Sequence, residues 1–248
     1  MGAKIFRSVY FMFGGSMTNI MVVSFAISVK NISQVISEIT IVSQNVRYLD
    51  SYTLVLFSSV NYAKANSDII DDIYVSTDDD EIKRIAISNN VTVIDRPEDI
   101  SGDNEPTITT VQHVLDEIKQ EVDNIFLLQP TNPLRPKHLL QEAFGLFLDK
   151  QLNSLFTVTM DDKKLGKIKN DRYHPFNYSI GQRSQDLEQL YFENGLLYIT
   201  KAEMIRRGHI ISNDAFPYVV NHIFSKIDID TYEDFEYAEY LLHKHKDI

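Results

Sequence analysis

Ile125-Phe-Leu-Leu-Gln-Pro-Thr-Asn-Pro-Leu-Arg135 decides the fold. Its first four residues are uniformly apolar, as in a strand buried on both faces. The run stops at Gln129, and Pro130 and Pro133 fix the backbone and prevent the strand from continuing. The stretch therefore predicts a rigid loop at the C-terminal end of a strand, carrying Gln129, Thr131, Asn132 and Arg135. In open α/β sheets that edge is where ligands bind. An amide, a hydroxyl and a cation held there suit a polar, anionic ligand such as a sugar acid or a phosphate. The competing reading is a structural strand-to-helix loop with Arg135 on a solvated face.

Outward from this loop the chain alternates helix and strand. Helical spacing covers Leu54–Ala65, Asp80–Asn89, Thr107–Glu121 and Pro136–Asp149; strands are expected at Ile20–Ile27, Asp72–Ser76, Val91–Ile94, Asn124–Gln129 and Leu155–Thr159. Such alternation implies a mostly parallel sheet with helices on both faces, a Rossmann-like three-layer α/β sandwich. Residues 160–193 break the pattern. They are polar, rich in Lys and Arg, and interleaved with Tyr173, Phe176 and Tyr178, as expected of an extension rather than core. A strand returns at Asn194–Ile199. Ile227–Asp230 reads as a last short strand before a helix from Thr231 to His245, with Thr231 and Asp234 spaced as a capping box.

Composition narrows the function classes. The 248 residues suffice for one large α/β domain or two small ones, and 44% hydrophobic with 24% charged residues is ordinary for a soluble globular chain. A net charge of −11 argues against broad nucleic-acid binding, though not against a local basic pocket. The absence of cysteine excludes disulfides, thiolate nucleophiles and Cys-ligated metals, and fits a cytoplasmic protein. Residues 8–29 carry no charge, but Gly, Ser, Thr and Asn dilute them too much for a good membrane span. No glycine lies between Gly15 and Gly102, so a glycine-rich phosphate cradle in the first hundred residues must be Gly14-Gly15.

Asp228 and Asp230 alternate with Ile227 and Ile229, so in an extended backbone both carboxylates project together. Paired carboxylates at a strand end suit a hard cation such as Mg2+, which takes one or two carboxylates and completes its shell with water and phosphate oxygens. The structural alternative is a polar face with an N-cap at Asp230. Arg96 follows a strand, and the helix at Thr107 opens nearby in sequence; a cation facing free helix N–H groups and hydroxyls makes an anion site. Asp79 and Asp80 are explained by the helix they open.

In order, Val75-Ser-Thr-Asp-Asp79, Arg96-Pro-Glu98, Leu128-Gln-Pro-Thr-Asn-Pro-Leu-Arg135, Arg183-Ser-Gln-Asp-Leu187, Glu193-Asn-Gly195 and Ile227-Asp-Ile-Asp-Thr231 resemble the acylneuraminate cytidylyltransferases. The resemblance runs from about Asn45 to Leu242. It implies a nucleotide-diphospho-sugar transferase fold and a homodimer joined through the 160–193 extension. It also implies a reaction in which a sialic-acid-like nonulosonic acid attacks the α-phosphate of CTP and pyrophosphate leaves. By the same resemblance Asp228 and Asp230 hold the metal, and with Gln129 they form the catalytic set. Asn45, Arg96, Thr107 and Thr109 lie at the nucleotide. Gln129, Thr131, Arg135, Lys167, Arg183 and Gln185 lie at the sugar acid, with Lys167 at its carboxylate.

The first 44 residues depart from that pattern. The family's Pro-Ala-Arg-x-x-Ser-Lys loop, which wraps the triphosphate, is replaced by Phe13-Gly-Gly-Ser-Met17. The following Lys-Asn pair is represented by Gln44-Asn45, far out of spacing, with Lys30-Asn31 as a rival match. Phe192 stands where an arginine is common. Losing cations beside a triphosphate costs about 10²–10³-fold in rate apiece. The alternative expectation is therefore a non-catalytic or impaired relative that binds sugar acid. A third is a nucleotidyltransferase acting on the eight-carbon acid Kdo.

Overall fold

The apolar run at Ile125 becomes the middle of a seven-stranded sheet. The computed structural model describes residues 19–24, 51–102 and 104–245. The strands of the main sheet are β1 (Asn19–Ser24), β2 (Asp72–Thr77), β3 (Thr92–Asp95), β4 (Asn124–Leu128), β5 (Ser154–Asp161), β8 (Leu190–Lys201) and β9 (Phe216–Val219), in the order β3-β2-β1-β4-β8-β5-β9. A separate hairpin pairs β6 (Gly166–Lys169) with β7 (Arg172–Pro175). The helices are α1 (Ser51–Lys64), α2 (Asp80–Ser88), α3 (Thr107–Glu117), α4 (Leu139–Asp149), α5 (Ala202–Arg206) and α6 (Tyr232–Lys244).

Every residue of β4 is buried, which is why its sequence lacks alternation. Its side chains still divide between two layers. Phe126 and Leu128 pack with Leu139, Leu140, Phe144 and Phe147 of α4, whereas Ile125 and Leu127 pack with Val111, Val114 and Leu115 of α3. The expected three-layer sandwich is thus present. Four of the six strand pairs in the main sheet are parallel; the two antiparallel ones flank β8. The chain leaves β5, makes the β6–β7 hairpin and returns as β8 between β4 and β5, and that return forces its reversed direction. β1 pairs with β2 on one side and β4 on the other, so this part of the uncharged 8–29 run is a central strand. No described helix is long and apolar enough to cross a membrane.

Several expected elements shift. The helix placed at Pro136 begins at Leu139, with Pro136 accepting a turn hydrogen bond from the Leu139 amide at 3.2 Å. β8 starts at Leu190, inside the expected extension. Ile227–Asp230 is no strand; it is an extended connection between a 3-10 turn (Ile223–Lys226) and α6. Its alternation survives because extended backbone has the same two-residue period: Ile227 is buried and Asp228 and Asp230 are exposed. Thr231, not Asp230, caps α6, with the capping box to Asp234 complete.

Candidate functional site at the carboxyl edge of the sheet

β1, β2, β3 and β4 run parallel, so their C-terminal ends share one edge, and antiparallel β8 brings its N-terminal half there. The loop after β4 is fastened from three sides. The Asn132 side-chain amide, 3% exposed, donates to the Ile227 carbonyl at 2.9 Å, and the Ile229 amide donates to the Thr131 carbonyl at 2.8 Å. Residues 227–229 are thereby docked onto the Gln129–Asn132 loop. The Thr131 hydroxyl lies near the Asp228 carboxylate and favours its ionised form; although Asp228 as a whole residue is exposed, partial desolvation of the carboxyl raises its pKa, and Asp230 and Asp234 add to the shift. The structure thus brings together Gln129, Thr131, Asp228 and Asp230, residues about one hundred positions apart in sequence.

Beside this loop β8 carries a wide bulge. Pairing with β5 runs from Phe156 with Tyr198 directly to Val158 with Glu193, leaving Asn194–Leu197 opposite Thr157. Buried Asn194 holds the bulge: its carbonyl accepts from the Thr157 hydroxyl at 2.6 Å and its amide donates to the Thr159 hydroxyl at 2.9 Å. Gly195 adopts φ +70°, and a Cβ there would stand 2.2 Å from Gln129 Oε1 and 2.3 Å from Asn132 Oδ1. Only glycine lets the loop lie this close.

Arg135 is placed differently from expectation. It is 7% exposed; Nε donates to the Leu196 carbonyl at 2.7 Å, Nη1 to the Ser59 hydroxyl at 3.0 Å and Nη2 to the Gln129 carbonyl at 2.8 Å. Burial lowers its pKa to about 10, so it stays charged at neutral pH. With these bonds made inside the protein, the guanidinium ties the loop to the bulge and to α1 instead of facing a ligand.

Below Gln129 opens a cleft of about 300 Å³. Pro106, Thr107 and Ile108 at the start of α3 line it together with Leu127, Gln129, Glu193, Tyr198, Ile210 and Ile211. α3 has no side-chain N-cap, since Pro106 occupies that position, so its first turn offers backbone N–H groups. Thr107 is therefore in the cleft; Thr109, two residues on, is half-buried and does not line it. Arg96 lies at the ends of β2 and β3. Its buried guanidinium donates to Asp78 at 2.7 Å and to the Ser101 hydroxyl at 3.1 Å. Asp79 caps α2 through the Ile82 amide at 2.8 Å, as the structural reading requires.

Lys167, Arg183 and Gln185 are not brought to this cleft. Lys167 is exposed on β6 with its ammonium 5.4 Å from the Phe176 ring centroid, Arg183 forks onto Asp186 at 2.7 and 3.0 Å, and Gln185 is exposed in the 3-10 turn Ser184–Asp186. All three belong to the segment outside the main sheet. Asn45, Gly14-Gly15 and Lys30-Asn31 lie outside the described residues. Sequence reasoning missed Glu193 and Tyr198 as cleft residues, and Ile210 and Ile211 entirely. The Asn-Gly pair inside an apolar run was the available sign of the bulge that aims Glu193.

A family profile described as cytidylyltransferase matches residues 55–247. N-acylneuraminate cytidylyltransferase A from Danio rerio is 30% identical over 184 residues, covering 71% of this chain and 42% of that protein. CMP-N,N'-diacetyllegionaminic acid synthase from Legionella pneumophila is 28% identical over 212 residues, covering 80% and 89%. The chain spans about two fifths of the length of the Danio rerio protein and of the Streptococcus agalactiae N-acylneuraminate cytidylyltransferases. Among solved structures, CMP:2-keto-3-deoxy-manno-octonic acid synthetase complexed with CTP superposes with a TM-score of 0.59 at 10% identity, over 92% of this chain and 99% of that one. At that identity the likeness is one of fold.

Proposed function

The chain belongs to the cytidylyltransferase family, and from that premise we propose that it transfers CMP from CTP to the anomeric hydroxyl of a sialic-acid-like nonulosonic acid, releasing pyrophosphate. The observation that carries this reading is the docking of residues 227–229 onto the Gln129–Asn132 loop, which sets Asp228 at Thr131 beside the cleft. Gln129, whose side chain makes no hydrogen bond among the described residues, presents an amide to the sugar acid. Thr107 and the first-turn amides of α3 serve the nucleotide phosphates, a helix N-terminus being suited to anions. Arg96, held against Asp78, shapes the nucleotide end of the edge and supplies positive potential there.

Asp228 and Asp230 are the proposed ligands of Mg2+. The Asp228 pKa is raised first by partial desolvation and then by the charges of Asp230 and Asp234, and a divalent cation would relieve that repulsion. The proposal needs only these two carboxylates from the protein, since Mg2+ takes one or two and completes its shell with water and phosphate oxygens. When bound, the ion would neutralise phosphate charge. The protein's own part is positional: the bonds from Ile229 to Thr131 and from Asn132 to Ile227 hold the segment that carries Asp228, and the Arg135-fastened loop carries Gln129.

The test is pyrophosphate release by the purified protein with Mg2+, CTP and a panel of sialic, legionaminic and pseudaminic acids, compared with the same mixture containing chelator. Turnover of at least one acid that stops with chelator is expected; no release with any acid overturns the reading. A second reading, a relative that binds sugar acid without efficient CTP turnover, is favoured by one observation: among the described residues no lysine or arginine lines the cleft. Sugar binding by calorimetry without CTP binding would select it.

Residues 160–193 are proposed as a dimerisation extension of the cytidylyltransferase-like domain. Ile168, Phe176 and Ile180 are 78%, 62% and 83% exposed, an apolar surface that a second copy would cover. Sedimentation at tens of micromolar should give a dimer, and a monomer there counts against it. A cytoplasmic location is part of the same proposal, consistent with a chain that has no cysteine to protect or pair.

A further inference from the structure

The cleft below Gln129 has two unlike walls. One is apolar, made by Ile108, Leu127, Ile210 and Ile211. It is firmly held: the Thr200 hydroxyl donates to the Ile210 carbonyl at 2.6 Å, and the Ser212 amide donates to the Ser154 hydroxyl at 2.9 Å. The other wall is polar, made by Gln129, Glu193 and Tyr198. Tyr198 is 4% exposed and its hydroxyl donates to Glu193 Oε1. Burial, and then the Glu193 carboxylate, hold that phenol far above its ordinary range, so it remains a donor at any working pH. The donor pins one oxygen of Glu193, an exposed residue at the mouth of the cleft, and leaves the carboxylate's other acceptor capacity facing the open cleft. Among the described residues no lysine, arginine or histidine lines the cleft to pair with it.

A carboxylate fixed in a ligand cleft without a protein cation is complemented by a cation on the ligand. The adjoining apolar wall asks that the same substituent carry a small hydrocarbon end. We propose that Glu193 is a specificity-determining residue that selects a sugar acid bearing a cationic nitrogen substituent, an amidine or amine, over its neutral amide counterpart. The inference rests on the transferase reading for the identity of the sugar, but the contact it describes needs only binding. Charge-assisted hydrogen bonds are about twice as strong as neutral ones. The carboxylate also repels the sugar's own carboxylate, which directs that group away from Glu193. The bulge sets this geometry, because Glu193 resumes the β5 pairing opposite Val158 just before Asn194 turns the chain inward.

The experiment uses two nonulosonic acids that differ only in an acetamidino or acetamido group on the same carbon. The pair is nearly isosteric, so a difference in affinity reports charge. Calorimetry on the full chain is expected to show the amidine bound roughly tenfold more tightly. In Glu193→Gln that preference should vanish, while the melting temperature stays within error of the parent protein. Equal affinities in the parent protein overturn the proposal. So does a preference that survives Glu193→Gln, which would assign it to Asp228 or Asp230. Failure to bind either sugar also overturns it. Pyrophosphate release measured alongside separates the two readings: turnover without the preference sinks only the role of Glu193, whereas the preference without turnover sinks only the transferase assignment.

Discussion

Asp228→Asn is expected to lower CMP transfer by about 10²–10³-fold while leaving the protein as stable at pH 7, or slightly more so. The two halves of that result come from one cause. Burial raises the Asp228 pKa, and Asp230 and Asp234 raise it further, so the ionised carboxylate is held at a cost to the fold. Asparagine keeps the shape, and it removes both the desolvated charge and the repulsion from Asp230 and Asp234. It also removes the charge that would hold a cation against phosphate. Pyrophosphate release and a thermal melt on the same preparation check both halves. A variant that loses stability and activity in proportion would mean that Asp228 is structural.

The pH dependence has a definite sign. A carboxyl whose folded-state pKa is raised favours the folded state when protonated. That contribution is fully present below the unfolded carboxylate pKa and is lost as pH rises through the folded value. In Asp228→Asn the stability change across that window, measured without metal, should flatten. With Mg2+ present the cation favours the ionised carboxylate, so the stability change of the parent protein should move to lower pH.

What the sequence made legible was local. The strand at Ile125–Leu128 is uniformly apolar and ends against prolines, so burial and boundary are both written in the segment. Thr231 and Asp234 are three apart, and their capping box needs no distant partner. The pairing of Asp228 with the Gln129 loop was expected through resemblance, and the structure supplies its physical basis in two hydrogen bonds. What stayed hidden depended on distant parts of the chain. β9 contains Pro217 and sits at the sheet edge, where a proline is tolerated, but in sequence it reads as a break. Asn170 and Asp171 both take positive φ to turn the β6–β7 hairpin, a turn for which the polar extension gave no strand pattern to flank. Glu193 becomes a cleft residue only once α3, the Ile210 segment and Tyr198 surround it.

Arg135 is the sharpest case, and it yields the second large effect. In sequence a polar loop ending in arginine suggests a ligand cation, because the partners that use it up lie 61 and 76 residues away. Arg135→Met is expected to destabilise the protein by about 3 kcal/mol, as charged hydrogen bonds to buried acceptors contribute roughly 1.5–3 kcal/mol each. The gain from no longer burying a charge offsets part of the sum. For a chain of this size the melting temperature should fall by about 6–12 °C. Arg135→Lys should recover little, since one ammonium cannot reach the Leu196 carbonyl, the Ser59 hydroxyl and the Gln129 carbonyl from a single position. Because the Gln129 carbonyl is among those acceptors, the surviving folded protein should also show a higher KM for the sugar acid at temperatures where it remains native. An arginine that instead contacted the ligand would give the reverse pattern, with lost affinity, an unchanged melting temperature and partial rescue by lysine. A melt and a KM measurement on these two variants therefore separate a fastener of the loop from a binder of the sugar.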